Sequence, residues 1–307
     1  MPLDARQAAV RLFHFSDIHV AVDRPGWQRA DCMNKRLPGW LNLRGLGRGK
    51  RFDNADHVLR CFLQDVRRFR PACLIFSGDA SGLGFEKEIA QAAMILGVAD
   101  ENGVPGIAVP GNHDYYTRGA AASGAFERHF APWQIGLRID DAVYPFARRV
   151  GSFWLVAVNS STGNRWFWDA AGSVGKEQLR RLETLFDQLD PGPRILVTHY
   201  PVCLSTGALE HRHHGLRDLN AILEVARRGK VCLWLHGHRH SAYHHGRSSF
   251  ADFPIICAGS ATHEHSGSYG DYEIHGNRLR AVRRAFSRVD DGFREAERFE
   301  LELPNVD

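Results

Sequence analysis

The 307-residue sequence contains no run of about 18 consecutive apolar residues, the length that a membrane-spanning helix requires. Its first ten residues include Asp4, Arg6 and Gln7, which is not the long apolar centre of a secretory signal peptide. Both absences favour a cytoplasmic protein. Peripheral contact with the inner membrane surface stays compatible with them.

Cysteine is also scarce, with six residues in the chain and no pair spaced as in a zinc site or a disulfide framework. Cys73, Cys232 and Cys257 fall within runs that predict buried strands. We therefore expect the cysteines to be reduced thiols in the core, as in other cytoplasmic proteins.

A large excess of one charge sign is absent too, because 39 Lys and Arg residues oppose 35 Asp and Glu residues. The net charge of +4 does not predict the broad basic surface of a nucleic-acid-binding protein, so no nucleic acid is expected as a partner. Positive charge is concentrated in residues 24–52, which contain eight basic residues and one acid among Trp and Leu side chains. This segment is suited to anionic lipid headgroups or a nucleotide's phosphates, or its apolar side chains pack on the core. Arg36 and Trp40 are its candidate substrate contacts.

Five short blocks of metal-ligand residues are present, and each directly follows an apolar, β-prone run. Open α/β sheets bind ligands outside the carboxyl ends of their strands, so five strand ends can converge on one site. Glycines before Asp79, Asn112 and His238 predict sharp turns of the backbone. The blocks are Asp17-Ile18-His19, Gly78-Asp79, Gly111-Asn112-His113-Asp114, Thr198-His199 and Gly237-His238-Arg239-His240.

The blocks offer carboxylate and amide oxygens and imidazole nitrogens, which suit Mn, Fe, Zn or Mg. With 17 histidines in the chain, an isolated histidine is more often a surface or core residue than a ligand, but that explanation does not account for the ordered set. The candidate ligands are more numerous than the roughly four to six that one ion binds. They suit two ions that share a carboxylate, and Asp79 is the natural bridging residue. The candidate ligands are Asp17, His19, Asp79, Asn112, His199, His238 and His240.

These ordered blocks resemble those of the calcineurin-like metallophosphoesterases, and the resemblance spans about residues 11–285. It implies that His113 contacts the phosphoryl group or the leaving oxygen and that Asp114 orients His113. One departure is the segment Ala80–Gly84, where many relatives carry a further Asp or Asn. The resemblance also implies two divalent metal ions, with manganese expected: the first held by Asp17, His19, Asp79 and His240, and the second by Asp79, Asn112, His199 and His238.

The implied reaction is hydrolysis of a phosphodiester or pyrophosphate bond in a nucleotide-derived small molecule, by in-line attack of a hydroxide that bridges the ions. The chain looks like bacterial cyclic-nucleotide phosphodiesterases in its motifs and length, and residues 24–52 make it similar to UDP-diacylglucosamine pyrophosphatases. Phosphomonoester or phosphoprotein hydrolysis by the same site stays open, and a non-catalytic metal-binding scaffold is the third alternative. Further candidate substrate contacts are Tyr115, Arg239 and the aromatic loop 164–168.

Alternating strands and helices followed by more strands predict an α/β fold of two packed, mixed sheets with helices outside. The resemblance implies the same four-layer sandwich. We expect one metallophosphoesterase domain over residues 1–307, with residues 24–52 as an insertion, and the sequence leaves the oligomeric state open. A hairpin turn is predicted at His275-Gly276-Asn277. Strands are predicted near 11–16, 72–77, 104–109, 153–159, 194–198, 231–235, 253–258, 271–275 and 279–284, and helices near 54–69, 86–102, 123–130, 175–189 and 215–228.

Overall fold

The computed structural model describes residues 9–45, 48–166, 168–248 and 250–305, with only the backbone of residues 44, 48 and 50. The strands are β1 (Val10–Phe15), β2 (Cys73–Phe76), β3 (Gly106–Ala108), β4 (Phe146–Val150), β5 (Phe153–Ala157), β6 (Arg194–Val197), β7 (Val231–His236), β8 (Tyr243–His245), β9 (Ile255–Cys257), β10 (Ser268–His275), β11 (Arg278–Ser287) and β12 (Gly292–Glu302). The α-helices are α1 (Arg36–Gly45), α2 (Ala55–Phe69), α3 (Glu86–Ile95), α4 (Arg118–Ser123), α5 (Ala125–Phe130), α6 (Lys176–Gln188) and α7 (Leu219–Arg228). Short 3₁₀ helices span Arg29–Met33, Arg48–Phe52 and Ala131–Gln134.

The strands form two six-stranded sheets, ordered β12-β11-β10-β1-β2-β3 and β4-β5-β6-β7-β9-β8. In the first sheet β1, β2 and β3 are parallel, while β10 pairs antiparallel with β1. In the second sheet β5, β6, β7 and β9 are parallel, while β4 and β8 are antiparallel edge strands. Both sheets are therefore mixed, as the sequence predicts.

Three apolar clusters hold the layers together. One cluster fills the space between the sheets and includes Leu12, Ile75 and Leu235. A second packs α2, α3 and α5 on the outer face of the first sheet, and a third packs α6 and α7 on the second sheet. The predicted four-layer sandwich is confirmed.

Helix α2 shows how the sequence builds an outer layer. Its buried residues Val58, Leu59, Phe62 and Val66 recur every three or four positions, which places them on one face of the helix. Burying such a side chain contributes about 1.5–3 kcal/mol relative to leaving it exposed. The helix ends where Arg70 takes a left-handed conformation with φ of 46°.

Several elements differ from the sequence prediction: α1, α4, β4 and β8 are not among the predicted elements, and α7 begins at Leu219 rather than near residue 215. The helix predicted over 86–102 ends at Ile95, because Gly97 adopts φ of 64° and closes the last turn. Strand β12 was not predicted, since its residues are charged and largely exposed at the edge of the sheet. An exposed edge strand of this kind lacks the apolar alternation that identifies a half-buried strand. The predicted hairpin turn between β10 and β11 is confirmed.

Five of the cysteines are buried, including Cys73, Cys232 and Cys257, which lie in strands as predicted. Cys32 is exposed, so the expectation that it belongs to the core is wrong. Within the described ranges, no helix has both the length and the apolar character needed to cross a bilayer.

Candidate metal centre

The first group of candidate ligands follows β1 and β7. Asp17, His19 and His240 each present a ligand atom within 4.8 Å of the others. Nε2 of His19 lies 3.0 Å from Nε2 of His240, and Nε2 of His240 lies 3.4 Å from Oδ1 of Asp17. The three side chains therefore point to a common centre.

The second group follows β3, β6 and β7. Oδ1 of Asn112 lies 3.0 Å from Nε2 of His199 and 2.8 Å from Nδ1 of His238. The two imidazole nitrogens lie 3.3 Å apart. An amide oxygen and two ring nitrogens thus converge on a second centre.

Asp79, at the carboxyl end of β2, lies between the two groups. Its Oδ2 is 3.5 Å from Nε2 of His199 and 3.8 Å from Nε2 of His19. Its Oδ1 accepts a hydrogen bond of 2.7 Å from the backbone N–H of His113. One carboxylate oxygen therefore faces both centres, as a bridging ligand requires.

Two observations show that divalent cations fit these centres. Metal bonds of about 2.0–2.2 Å place neighbouring ligand atoms about 3–3.5 Å apart, which matches the contacts of His199 with Asn112 and Asp79. Oδ1 of Asp17 is buried and accepts no hydrogen bond. A buried carboxylate oxygen without a donor is unfavourable, and a cation at the first centre would satisfy it.

The protonation states also suit metal binding. Burial lowers the pKa of His19, His199 and His238, so these rings are neutral at pH 7 and keep a lone pair for a metal ion. Burial alone would raise the pKa of Asp17, but His240, His199 and His19 outweigh it and hold that pKa below its usual range. The carboxylate is therefore ionised.

The backbone at these ligands is strained. Asp17, His19, Asp79 and His238 have φ of 53°, 44°, 62° and 72°, in the left-handed region that residues other than glycine rarely adopt. Local hydrogen bonds hold this conformation, since the N–H of Asp17 donates to the carbonyl of Gly78 and that of His19 to the carbonyl of Asp79. Strain of this kind is typical of functional sites.

The glycines of the blocks act in two different ways. Gly78 has φ of +102° and makes the predicted sharp turn before Asp79. Gly111 does not have a positive φ; instead, a Cβ atom at this position would lie 2.0 Å from Oδ1 of Asp79. Glycine is required at position 111 because two loops approach closely there.

His113 and Asp114 differ from the expectation. Nδ1 of His113 lies 2.6 Å from the carbonyl oxygen of Gly82, so that carbonyl orients the ring. The carboxylate of Asp114 accepts hydrogen bonds from the N–H groups of Asp79, Ala80, Ser81 and Gly111, at 2.9–3.2 Å, and from the hydroxyl of Ser81. Asp114 therefore fixes the loop that carries Asp79, and the expected orienting role passes to Gly82 in the segment that departs from the family pattern.

His113 also lies close enough to act as a ligand. A ligand atom of His113 lies within 4.8 Å of those of His19 and Asp79, and the rings of His113 and His19 are 4.7 Å apart. A metal-content measurement on a His113 variant separates a ligand from a substrate contact.

Two clefts meet at this centre, and both are lined by His113 and His240. The first, here called the polar cleft, has a volume of about 630 Å³ and is also lined by Lys35, Asp169 and Arg239. The second, here called the aromatic cleft, has a volume of about 570 Å³, and its lining includes Trp27, Trp40, Leu43 and Phe52. Both clefts are lined in part by residues of the 24–52 segment, such as Lys35 in the polar cleft and Trp40 in the aromatic cleft.

The predicted substrate contacts fall in different places. Arg239 lines the polar cleft and Trp40 the aromatic cleft. Arg36 instead pairs with Asp31 at 2.7 Å and donates to the carbonyls of Leu83 and Gly84. The hydroxyl of Tyr115 donates to Glu127 at 2.6 Å. Arg36 and Tyr115 are thus engaged by the protein itself.

The aromatic loop lies partly within the described residues, since position 167 is outside them. Trp166 and Trp168 stack on each other with ring centroids 5.0 Å apart, and each is 50% exposed. The two rings therefore lie at the protein surface and are not part of the packed core.

A buried acid in the aromatic cleft predicts a pH effect on stability. Oε2 of Glu88 accepts hydrogen bonds from the N–H groups of Leu83 and Phe85, yet burial raises the pKa of Glu88 to about 7. Because the folded-state pKa is raised, the contribution of Glu88 to stability is full below its ordinary pKa and is lost as pH rises through about 7. We expect Glu88→Gln to raise the melting temperature relative to wild type at pH 8.5, with little effect at pH 5.

Thermal denaturation at both pH values checks this expectation. The exposed Glu101 provides the matched control, since Glu101→Gln should leave the melting temperature unchanged at either pH. A Glu88→Gln variant that melts below wild type at pH 8.5 contradicts the assignment.

The chain resembles known proteins in both sequence and fold. A family model described as calcineurin-like phosphoesterase matches residues 10–242, and a search of curated proteins finds no significant match. A dimetal phosphatase from Danio rerio is 16% identical, with a TM-score of 0.63, and the match covers 96% of this chain and 99% of that one. The purple acid phosphatase PPD1 from yellow lupin (Lupinus luteus) seeds is 13% identical, with a TM-score of 0.61, over 98% of this chain and 55% of that one. PhoD is 10% identical, with a TM-score of 0.60, over 99% of this chain and 73% of that one.

At these identities the solved structures establish a shared fold. The family model covers well over half of the chain, and the residues that it spans include each block of the candidate centre. The family implies two divalent metal ions, and the two groups of ligand atoms are consistent with them. The chain therefore belongs to the calcineurin-like phosphoesterase family and is a metal-dependent phosphoric ester hydrolase.

Proposed function

We propose that this protein hydrolyses a phosphodiester or pyrophosphate bond in a nucleotide-derived small molecule. The observation that carries the proposal is the position of the metal centre between two clefts that share His113 and His240. A scissile phosphorus with substituents on both sides uses both clefts, whereas a phosphomonoester needs only one. Cyclic nucleotides and UDP-diacylglucosamine are the substrate types to which the sequence resemblance points.

The contacts at the centre support the two ligand sets that the family resemblance implies. Asp79 is shared by both sets. When bound, two divalent ions supply a nucleophile at neutral pH and neutralise the phosphoryl oxygens. The first ion would be held by Asp17, His19, Asp79 and His240, and the second by Asp79, Asn112, His199 and His238.

His113 is proposed to act on the leaving group. Nδ1–H of His113 donates a hydrogen bond to the carbonyl of Gly82, which fixes the ring. A proton for transfer to the leaving group would therefore be carried on Nε2 of the doubly protonated ring, which returns to the neutral form after transfer. Donation of that proton to the departing oxygen neutralises the negative charge that develops on it. Asp114 supports this step indirectly, because it holds the loop between Asp79 and Ser81.

The aromatic cleft is proposed to bind the apolar or aromatic part of the substrate. Trp27 and Trp40 lie with ring centroids 6.2 Å apart, and such faces stack on a base or pack against an acyl chain. We expect Trp40→Ala to raise KM for an aryl diester. Leu41→Ala is the control, because Leu41 is 52% exposed on the same helix.

The ratio of diester to monoester hydrolysis tests the proposed function. We expect Mn-loaded protein to hydrolyse bis(p-nitrophenyl) phosphate with a higher kcat/KM than p-nitrophenyl phosphate. Asn112→Ala should abolish both activities, since it removes an oxygen that lies within 3.0 Å of two ring nitrogens. A preference for the monoester would favour the phosphomonoesterase or protein phosphatase alternative.

We also propose peripheral contact with an anionic membrane as a second property. Met33 is 88% exposed and Leu41 is 52% exposed, and Arg24 and Arg29 are exposed in the same segment. Each basic residue near an anionic surface contributes about 1 kcal/mol to binding. Co-sedimentation with phosphatidylglycerol vesicles, lost in Met33→Glu, would support this contact. Equal sedimentation of the variant would contradict it.

A further inference from the structure

A buried lysine lies in the polar cleft and has no ion-pair partner among the residues that the structure describes. Lys35 is 8% exposed and is one of the residues that line the polar cleft, as are Asn112 and His113. Its ammonium group lies 4.5 Å from the centroid of the Tyr116 ring. Within the described part of the chain, no carboxylate forms an ion pair with it. A buried charge is normally paired.

The neighbouring acid compensates this charge only in part. Asp169 acts electrostatically on Lys35, but both oxygens of Asp169 already accept hydrogen bonds from Arg217, at 2.7 and 2.9 Å. Burial lowers the pKa of Lys35 to about 8, as expected for an ammonium group removed from water. Burial of the Lys35 ammonium group is therefore unfavourable in the protein alone, and an anionic ligand beside it would offset that cost.

The other basic candidates around the site are engaged. Arg239 pairs with Glu210 at 2.9 Å in the polar cleft, and Arg36 pairs with Asp31. Their positive charges are therefore balanced by the protein. Lys35 is left to balance a negative charge on the substrate.

We propose that Lys35 forms a subsite for a second anionic group of the substrate, a phosphate adjacent to the scissile one. The inference rests on the proposed function and narrows it to pyrophosphates of the nucleoside diphosphate type. A cyclic nucleotide carries one phosphate, which the metal centre would neutralise, and Lys35 would stay without a partner. A pyrophosphate diester carries a second negative charge next to the first.

Calorimetric binding of ADP and AMP to the Mn-loaded protein, at one fixed free Mn concentration, tests this subsite. We expect wild type to bind ADP more tightly than AMP. Lys35→Met should reduce the ratio of the two affinities by about 10- to 100-fold, the range of a charged hydrogen bond. Lys35→Arg should retain part of the preference. Lys176→Met is the matched control, because Lys176 is exposed at the start of α6.

Thermal denaturation distinguishes a ligand-binding Lys35 from a lysine that only stabilises the fold. Removing an unpaired buried charge should leave the melting temperature of Lys35→Met at or above that of wild type. The subsite is overturned if Lys35→Met has the same ratio of ADP to AMP affinity as wild type, or if wild type itself does not prefer ADP. It is also overturned if Lys35→Met has a lower melting temperature than wild type. Hydrolysis of an aryl phosphodiester by wild type separates failure of the subsite from failure of the proposed function. If wild type hydrolyses the diester but does not prefer ADP over AMP, the proposed function stands and only the Lys35 subsite is wrong.

Discussion

Asp79→Ala is expected to lower kcat for an aryl phosphodiester by about 10³-fold or more, since a bridging ligand contributes several kcal/mol of transition-state stabilisation through both ions. Oδ2 of Asp79 faces His19 and His199, while its Oδ1 accepts a hydrogen bond from the N–H of His113. The substitution thus removes the proposed bridging ligand of both centres and a support of the proposed proton donor. Steady-state turnover at saturating Mn is the measurement.

A matched variant separates loss of a ligand from loss of the loop. Asp79→Asn keeps the shape of the side chain and an oxygen for the N–H of His113, but it removes the negative charge that the two ions would share. We expect Asp79→Asn to be nearly as inactive as Asp79→Ala while melting close to wild type. Retention of more than about a tenth of wild-type kcat in either variant, a change of under about 1.4 kcal/mol in activation free energy, would contradict the bridging role.

His113→Ala is expected to lower kcat for the aryl diester by about 10²- to 10⁴-fold, the usual range for a general acid, with metal content unchanged. His113 reaches the centre from the loop after β3, and its Nδ1 is held by the carbonyl of Gly82. Removing the ring takes away the proposed proton donor but none of the proposed ligands. Kinetics together with metal analysis of the same sample check both parts.

The metal analysis decides between two roles that the geometry permits. A ligand atom of His113 lies within 4.8 Å of those of His19 and Asp79. If His113→Ala loses one ion, His113 is a ligand and the assignment as proton donor is wrong. His265→Ala serves as the control, because His265 is exposed outside the two clefts and should change neither kcat nor metal content.

The position of the site was predictable because each block follows a strand. Asp17, Asp79 and His199 each come directly after a short apolar run, and parallel strands bring such positions to one edge of a sheet. The structure gathers all the predicted ligands there. This part of the fold depends on local apolar patterns, which a single sequence displays.

The contacts around the ligands were less predictable. Lys35 and Arg36 are adjacent in a basic segment, but Lys35 faces the polar cleft while Arg36 pairs with Asp31. The direction of Arg36 depends on its contacts with Leu83 and Phe85, which no local pattern encodes. The role of Asp114 was missed for a similar reason, because all of its donors except the N–H of Gly111 come from a loop 33–35 residues earlier in the chain.

Metal content tests the central claim most directly. Inductively coupled plasma mass spectrometry of Mn-loaded, desalted protein should give about two ions per chain for wild type and fewer than one for Asp79→Ala. That result would match two groups of ligand atoms joined by one carboxylate. A wild-type protein that holds one ion, or an Asp79→Ala variant that still holds two, would contradict the dinuclear centre on which the proposed function depends.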